Sequence, residues 1–120
     1  MLLPKGERAI VDLRKLRDYC LNPDSARGRH KARVFATALG ITAADASKLR
    51  AKLLEIARTG DAQLGELDLY GQRYTIDFEM ETTIDKTTVR SGWIVLHGKP
   101  VPRLTTCYVK KRKRNAKAKD

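Results

Sequence analysis

The spacing of apolar residues changes near Gly65 from a helical repeat to simple alternation. Before that point apolar residues recur three and four positions apart, as in Leu49, Leu53 and Ile56, which places them along one side of a helix. After it the segment "RYTIDFEME" alternates apolar and polar residues, the pattern of a strand with one buried face. The chain is therefore predicted to fold as helices followed by an antiparallel sheet.

The N-terminal half predicts two to three helices. The first follows a short extended piece, has Asp12 as its N-cap and stops before Pro23. The second runs from about residue 29 and ends at Gly40, a residue type favoured just after a helix end. The third occupies residues 42–60 and starts with a Thr-x-x-Asp capping pattern.

The C-terminal half predicts three strands, at residues 73–81, 86–98 and 102–110. The preceding segment "LDLYGQ" is compatible with a further short strand or with an irregular lead-in. We therefore predict an α+β fold in which two to three N-terminal helices pack on one face of a three- to four-stranded antiparallel sheet. The other face of that sheet is then free to be concave and polar.

Positive charge is concentrated in two parts of this 120-residue chain, whose formal net charge is +11. Residues 1–60 carry +7, residues 61–109 carry −2, and residues 110–120 carry +6. This distribution predicts one domain over residues 1–109, followed by a basic, disordered tail over residues 110–120. It also indicates an anionic partner that is bound on one side of the domain.

Several classes of protein and site are disfavoured. The apolar runs are too short to cross a bilayer, and the first residues do not resemble a secretory signal, so we expect no membrane association and a cytoplasmic protein. Cys20 and Cys107 define no disulfide framework, and Cys107 is interpreted as a core residue. His30 and His97 have no acidic cluster around them, and His97 is interpreted as a turn residue. We expect no metal and no cofactor.

A basic cluster crowds the start of the second predicted helix, with Arg27, Arg29, His30, Lys31 and Arg33 close together. Cations are unfavourable there because the unpaired N–H groups of a helix N-terminus already create a positive potential. A helical wheel directs Lys31 past the end of the apolar stripe, toward the sheet. A bound phosphate would satisfy both the N–H groups and the cations. The alternative is that the helix starts later and Lys31 extends from a loop.

The sheet half contains few cations, so each one is a candidate for contacts with phosphate. The candidate residues, including nearby hydroxyl groups, are Arg73, Arg90, Arg103, Thr105, Thr106 and Tyr108. An ion pair with Asp77 or Glu79 would equally account for an arginine in this sheet.

Converging guanidinium, hydroxyl and imidazole groups are what metal-free cleavage of RNA requires. The 2′-OH attacks the neighbouring phosphorus, and the protein must accept its proton, stabilise the phosphorane charge and protonate the leaving oxygen. The predicted catalytic residues are His30, Lys31, Arg90, Thr105 and Thr106. The predicted nucleic-acid-binding residues are Arg27, Arg29, Arg33, Arg73, Arg103, Lys110, Lys111 and Arg112.

Five sequence blocks together resemble an uncharacterised bacterial family, a domain of unknown function. They are "LRDYCLNP", "GRHKARVFATALGI", "YGQRYTIDFEM", "VRSGWIV" and "PRLTTCYV", in this order over roughly residues 3–109. Similar blocks end large secreted polymorphic toxins. The resemblance implies a toxin-like nuclease of the group that includes RelE toxins, colicin nuclease domains and barnase, whose helices and antiparallel sheet enclose a basic cleft.

The resulting expectation is a small metal-independent ribonuclease, the toxin of a toxin–antitoxin or defence pair. Its expected partners are RNA and a small acidic antitoxin-like protein that covers the cleft. Two alternatives stay open. One is a non-catalytic RNA- or DNA-binding module, in which the same cations only position phosphate. The other is the antitoxin or immunity-like partner of a toxin, acting by contact alone.

Overall fold

A single antiparallel sheet with helices on one face organises residues 1–110, the part of the chain that the computed structural model describes. This architecture confirms the predicted α+β fold. The helices come first: α1 (Leu13–Lys15), which continues as a π-helical turn (Leu16–Cys20), then α2 (Arg29–Leu39) and α3 (Ala46–Thr59). The strands follow: β1 (Ala62–Leu67), β2 (Gly71–Glu81), β3 (Lys86–Leu96) and β4 (Arg103–Val109). Short 3-10 turns cover Gly6–Arg8 and Ala43–Asp45.

The four strands lie in chain order, so each pairs with its sequence neighbour. The β2–β3 hairpin is regular along its whole length, from the Gly71–Leu96 pair to the Glu81–Lys86 pair. The β3–β4 pairing shifts by one residue between Gly92 and Trp93, which leaves Thr105 as the extra residue of a bulge in β4. This bulge bends the edge strand that faces the helices.

The strand found in addition to the three predicted ones is β1, which begins earlier in the chain than the candidate segment "LDLYGQ". That segment supplies only the end of β1, a turn and the start of β2. The Asp68 carboxylate accepts hydrogen bonds from the N–H groups of Tyr70 (2.9 Å) and Gly71 (3.2 Å), which fixes the turn. Ala62 is the one buried residue of β1, so the strand shows no alternation from which its position could be predicted.

The helix starts differ in how their N–H groups are satisfied. The Asp12 carboxylate caps α1 by accepting from the N–H of Arg14 (3.0 Å), and a capping box of Thr42 and Asp45 precedes α3. In contrast, no side chain caps α2, which begins after Gly28. Gly40 ends α2 in the left-handed conformation with φ of 69°.

The core forms between the helices and the sheet. Its largest fully buried side chains include Leu16, Phe35, Leu39, Leu49, Leu53, Ile76, Val89 and Trp93. Trp93 donates from its indole nitrogen to the buried Ser91 hydroxyl (2.9 Å), which in turn donates to the carbonyl of Ile76 (2.8 Å). Trp93 is therefore a core residue with its polar atom satisfied, and it is not a surface for base stacking.

The remaining sheet face carries the polar residues of the strands. Across it Asp77, Arg90 and Tyr108 form one cross-strand row on β2, β3 and β4. Helix α2 and the π-helical turn pack against β4, the edge strand of the sheet. Lys31, in the first turn of α2, reaches Tyr108 at the β4 end of this row.

Candidate functional site

Lys31 lies between two tyrosines that come from distant parts of the chain. Its ammonium nitrogen donates to the hydroxyl of Tyr19 (3.1 Å) and lies 5.2 Å from the centre of the Tyr19 ring. The same nitrogen lies 5.9 Å from the centre of the Tyr108 ring on β4. The side chain therefore points from the first turn of α2 to the sheet, as the helical wheel predicts.

Arg90 lies beside Tyr108 on the neighbouring strand, where the two residues are direct cross-strand partners. Its guanidinium makes two hydrogen bonds to the Asp77 carboxylate (2.8 and 2.9 Å), and Lys110 donates to the same carboxylate (3.1 Å). Hydrogen bonding to Asp77 raises the pKa of Arg90, with a smaller contribution from Tyr108. The ion-pair alternative is therefore realised. We call Tyr19, Lys31, Arg90 and Tyr108 the Lys31–Arg90 site.

His30 is exposed and borders a hollow of about 430 Å³ at this site. The other residues that line it are Lys31, Val34, Tyr108 and Val109. The lining is mostly apolar, with an imidazole and an ammonium group at its margin. A nucleotide base or sugar can pack in such a hollow while its phosphate meets the cations.

Thr105 and Arg27 line a second hollow, of about 500 Å³, on the other side of Tyr19. Asp12 and Asp18 also line it, but their carboxylates are paired with Arg14 and Arg17. Tyr19 borders this second hollow, and its hydroxyl is bonded to Lys31, which borders the first. Arg27, Thr105 and the Lys31–Arg90 site are brought to one side of the domain.

The start of α2 has no negative charge to balance its cations. Within residues 1–110 no carboxylate lies within 4.0 Å of the charged groups of Arg27, Arg29, Lys31 or Arg33. The backbone N–H groups of His30 and Lys31 have no acceptor in this part of the chain either. Arg29 and Arg33 are exposed and line a third hollow of about 520 Å³, on the flank of α2. An anion at this first turn would satisfy the free N–H groups and the cation nearest to it.

Two predicted arginines lie at the other end of the sheet. Arg73 is bound to Asp68 (2.6 Å), and both Arg73 and Arg103 are strand partners of Ile94. Arg103 comes five residues before Tyr108, so at about 3.4 Å per residue it is at most about 17 Å away along the strand. Arg103 and Arg73 cannot contact the phosphate that Lys31 and Arg90 would hold, although a longer nucleic acid can reach them.

The remaining predicted residues have different placements. The Thr106 hydroxyl oxygen is buried, and no hydrogen-bonding partner for it is found in the described residues, so a ligand cannot reach it in this arrangement. Lys110 is engaged with Asp77. Lys111 and Arg112 lie outside the described residues, as does the rest of the predicted disordered tail.

Tyr19 is the residue of the Lys31–Arg90 site that the sequence did not identify. Tyr19 is 12 positions from Lys31, on a separate helical segment, and only the packing of that segment against α2 brings them together. Of the two ion-pair partners that the sequence offered for an arginine of the sheet, Asp77 is the one realised for Arg90, because a hairpin closed by Thr82 and Asp85 places it opposite that residue. His97 lies in a turn after β3, with its ring nitrogen 3.0 Å from the Asp68 carbonyl.

Residues 1–110 contain no group of three or more His, Cys, Asp or Glu side chains arranged to hold a metal ion. No helix in this part of the chain combines the length and apolarity needed to cross a membrane.

Asp77 makes a testable contribution to stability in acid. Hydrogen bonds from Arg90 and, secondarily, Lys110 lower its pKa below the ordinary 3.8. The stabilisation is therefore present above that value and is lost as the pH falls through the lower pKa of the folded chain. We expect Asp77→Asn to be less stable at neutral pH and to lose less stability on acidification than the unmodified chain. Thermal unfolding midpoints between neutral pH and about pH 2 measure this, and parallel curves would contradict it.

Comparisons with known proteins agree with this fold. A family model described as "Domain of unknown function (DUF6883)" matches residues 2–111. A chain of the contact-dependent growth inhibition toxin–immunity protein complex from Klebsiella pneumoniae 342 superposes with a TM-score of 0.62, at 14% identity. The match covers 89% of this chain and 97% of that one. At this identity the likeness is one of fold. No curated protein matches the chain.

Proposed function

The chain belongs to the DUF6883 family of domains of unknown function, and we propose that it is a small metal-independent ribonuclease acting as the toxin of a toxin–immunity pair. The observation that carries this proposal is the unneutralised positive charge at the start of α2, directly beside the Lys31–Arg90 site. The fold shared with a chain of a toxin–immunity complex is compatible with this role.

The scissile phosphate of an RNA strand would bind at the first turn of α2. The free N–H groups of His30 and Lys31 would donate to one non-bridging oxygen, and the Lys31 ammonium and Arg90 guanidinium would face the other. Because Arg90 is already held by Asp77, its position is fixed before substrate arrives. Such preorganised donors stabilise the additional charge of the phosphorane.

The proton transfers are assigned to His30 and Tyr19. His30, exposed at the margin of its hollow, would accept the proton of the attacking 2′-OH. Tyr19 accepts a hydrogen bond from Lys31, so its own phenolic proton is free to pass to the leaving 5′ oxygen. The products would be a 2′,3′-cyclic phosphate and a 5′-hydroxyl.

Cleavage in the presence of EDTA tests the proposal. The full chain is expected to cleave single-stranded RNA with a chelator present, and His30→Ala is expected to reduce the rate by about 10²–10⁴-fold while RNA binding persists. Arg58→Ala, on the exposed last turn of α3, is a matched control that should cleave normally. If RNA stays bound and intact under all conditions, the chain is a binding module. Equal rates for His30→Ala and the unmodified chain would overturn the role of His30.

The basic cluster makes a separate prediction about salt. Each phosphate contact to single-stranded nucleic acid contributes a slope of about −0.7 to the dependence of log affinity on log salt. Replacing Arg27, Arg29 and Arg33 together by glutamine should therefore reduce the slope by about 2. Fluorescence anisotropy with a labelled RNA at several salt concentrations measures it. An unchanged slope would show that the RNA does not lie across the start of α2.

A second function is favoured by one different observation. Four large apolar residues between positions 64 and 70 are exposed by 66–91%: Leu64, Leu67, Leu69 and Tyr70. They lie on β1, at the edge of the sheet, and on the turn that follows it. An exposed edge strand with apolar side chains is suited to protein contact, as an immunity-like protein requires. Expression alone separates the functions, because a toxin should arrest growth and an immunity-like protein should not.

A further inference from the structure

The two cysteines of the chain belong to the same buried core, although 87 positions separate them. Cys20 ends the π-helical turn, Cys107 lies in β4, and neither has measurable exposure. The π-helical turn packs on β4, and the two thiols are close enough for each to shift the pKa of the other. The proposed mechanism uses neither of them.

Each cysteine is the chain neighbour of a tyrosine that contacts Lys31. Tyr19 directly precedes Cys20, and Tyr108 directly follows Cys107. The Lys31 ammonium lies between these two rings, at 5.2 and 5.9 Å from their centres. A movement of the π-helical turn relative to β4 would therefore change both the separation of the sulfur atoms and the width of the gap that Lys31 occupies.

The two thiols have different electrostatic surroundings. Interaction with Cys107 lowers the pKa of Cys20 to about 7, with a smaller contribution from the charge of Lys31, against the opposing effect of burial. The same interaction and burial raise the pKa of Cys107. One sulfur is thus suited to attack an oxidant as the thiolate, while the other remains protonated.

We propose that Cys20 and Cys107 are a redox-sensitive pair, which hydrogen peroxide converts to a disulfide that closes the Lys31–Arg90 site. The effect on the site rests on the proposed function, whereas the formation of the disulfide does not.

The chemistry balances with one peroxide. The Cys20 thiolate attacks a peroxide oxygen, the O–O bond breaks, and hydroxide leaves to become water, which gives a sulfenic acid at Cys20. The Cys107 sulfur then attacks the Cys20 sulfur as its thiol proton is lost, and the S–O bond breaks. The departing hydroxide takes up that proton as a second water. The two sulfurs together lose two electrons, and the peroxide gains them.

The burial of Cys20 limits the rate at which peroxide oxidises it. Peroxide can reach Cys20 only when the short π-helical turn opens locally, so oxidation should be slow relative to that of an exposed thiol. Once formed, the S–S bond of about 2.05 Å holds the sulfurs closer than a contact between thiols does. The π-helical turn is then drawn toward β4, and the space between Tyr19 and Tyr108 narrows.

The experiment treats the reduced full chain with hydrogen peroxide and then alkylates remaining thiols in denaturant. Peptide mapping by mass spectrometry is expected to find a Cys20–Cys107 link, lighter by two hydrogen atoms and reversed by dithiothreitol. In Cys107→Ala the reaction should stop at a sulfenic acid on Cys20 that dimedone traps. In Cys20→Ala no disulfide can form within the molecule, and Cys107 should be oxidised more slowly than Cys20 is in Cys107→Ala.

Two further readouts address the site itself. In ¹⁵N-labelled protein the amide signals of Tyr19, Lys31 and Tyr108 should shift on oxidation, whether or not the chain binds RNA. Affinity for a short single-stranded RNA should fall by about tenfold or more, a loss of about 1.4 kcal/mol, and return on reduction.

The outcomes are separable. If both thiols remain alkylatable after peroxide treatment, or the link forms only between molecules, the proposal is overturned. If the disulfide forms within the molecule but the amide signals of Tyr19, Lys31 and Tyr108 do not shift, the proposed effect of the disulfide on the Lys31–Arg90 site is overturned. If the link and the shifts appear but even the reduced chain binds no RNA, the redox pair stands and the proposed ribonuclease function fails.

Discussion

Lys31→Met is expected to reduce RNA cleavage by about a hundred- to a thousandfold, the usual cost of removing one donor that stabilises transition-state charge. The Lys31 ammonium lies between Tyr19 and Tyr108 and faces the row that contains Arg90. Its removal takes away the hydrogen bond to Tyr19 and the charge that, in the proposed mechanism, faces the phosphate and prepares Tyr19 to give up its proton. Initial rates on a labelled RNA measure the loss.

The fold of Lys31→Met should be retained, since methionine keeps the aliphatic stem that is half-buried against the rings. The thermal midpoint should therefore remain close to that of the unmodified chain. Lys48→Met, on the exposed side of α3, is the matched control and should cleave normally. Full cleavage activity in Lys31→Met would refute the central role of this residue.

Gly28→Ala is expected to lower the free energy of unfolding by about 1–3 kcal/mol, the typical cost of forcing an extra methyl group into a packed site. A Cβ atom at Gly28 would overlap the carbonyl oxygen of Tyr19, lie 2.7 Å from its carbonyl carbon and 3.1 Å from its ring. The obstacle is backbone, so a rotamer change cannot relieve it. The start of α2 and the π-helical turn must move apart.

The same substitution should weaken RNA binding, because it separates Tyr19 from Lys31. Gly98→Ala is an informative control. Gly98 has φ of 78°, so alanine there is also strained, but the residue lies in the turn after β3 with no atom within 4 Å of an added Cβ. Urea titrations should show both variants destabilised, and anisotropy should show only Gly28→Ala weakened in RNA binding. Equal RNA affinity for the two variants would contradict the placement of Tyr19 in the site.

The elements that could be predicted from the sequence are those whose burial is one-sided and regular. The leucine stripe of α3 and the alternation in β2 each record a single buried face, and both elements occur where they were predicted. Strand β1 has no such pattern. It is an edge strand with one buried residue, and its register is set by pairing with β2 rather than by its own side chains.

Within the candidate site, the sequence could predict only those side-chain positions that follow from the geometry of a single helix or hairpin. The direction of Lys31 follows from the apolar stripe of its own helix, and the pairing of Asp77 with Arg90 follows from the hairpin turn. Tyr19 reaches the site through the packing of a five-residue π-helical turn, a conformation that the sequence does not indicate. The approach of Cys20 to Cys107 depends on the same packing.

The most direct test is an NMR titration of the ¹⁵N-labelled chain with a short 2′-O-methyl RNA, which can bind but lacks the attacking hydroxyl. The shifts should concentrate on the amides of His30 and Lys31 and on their neighbours in β3 and β4 around Arg90 and Tyr108, and they should be lost in Lys31→Met. Shifts confined to the β1 edge, or a titration unchanged by Lys31→Met, would contradict the existence of an anion site at the start of α2.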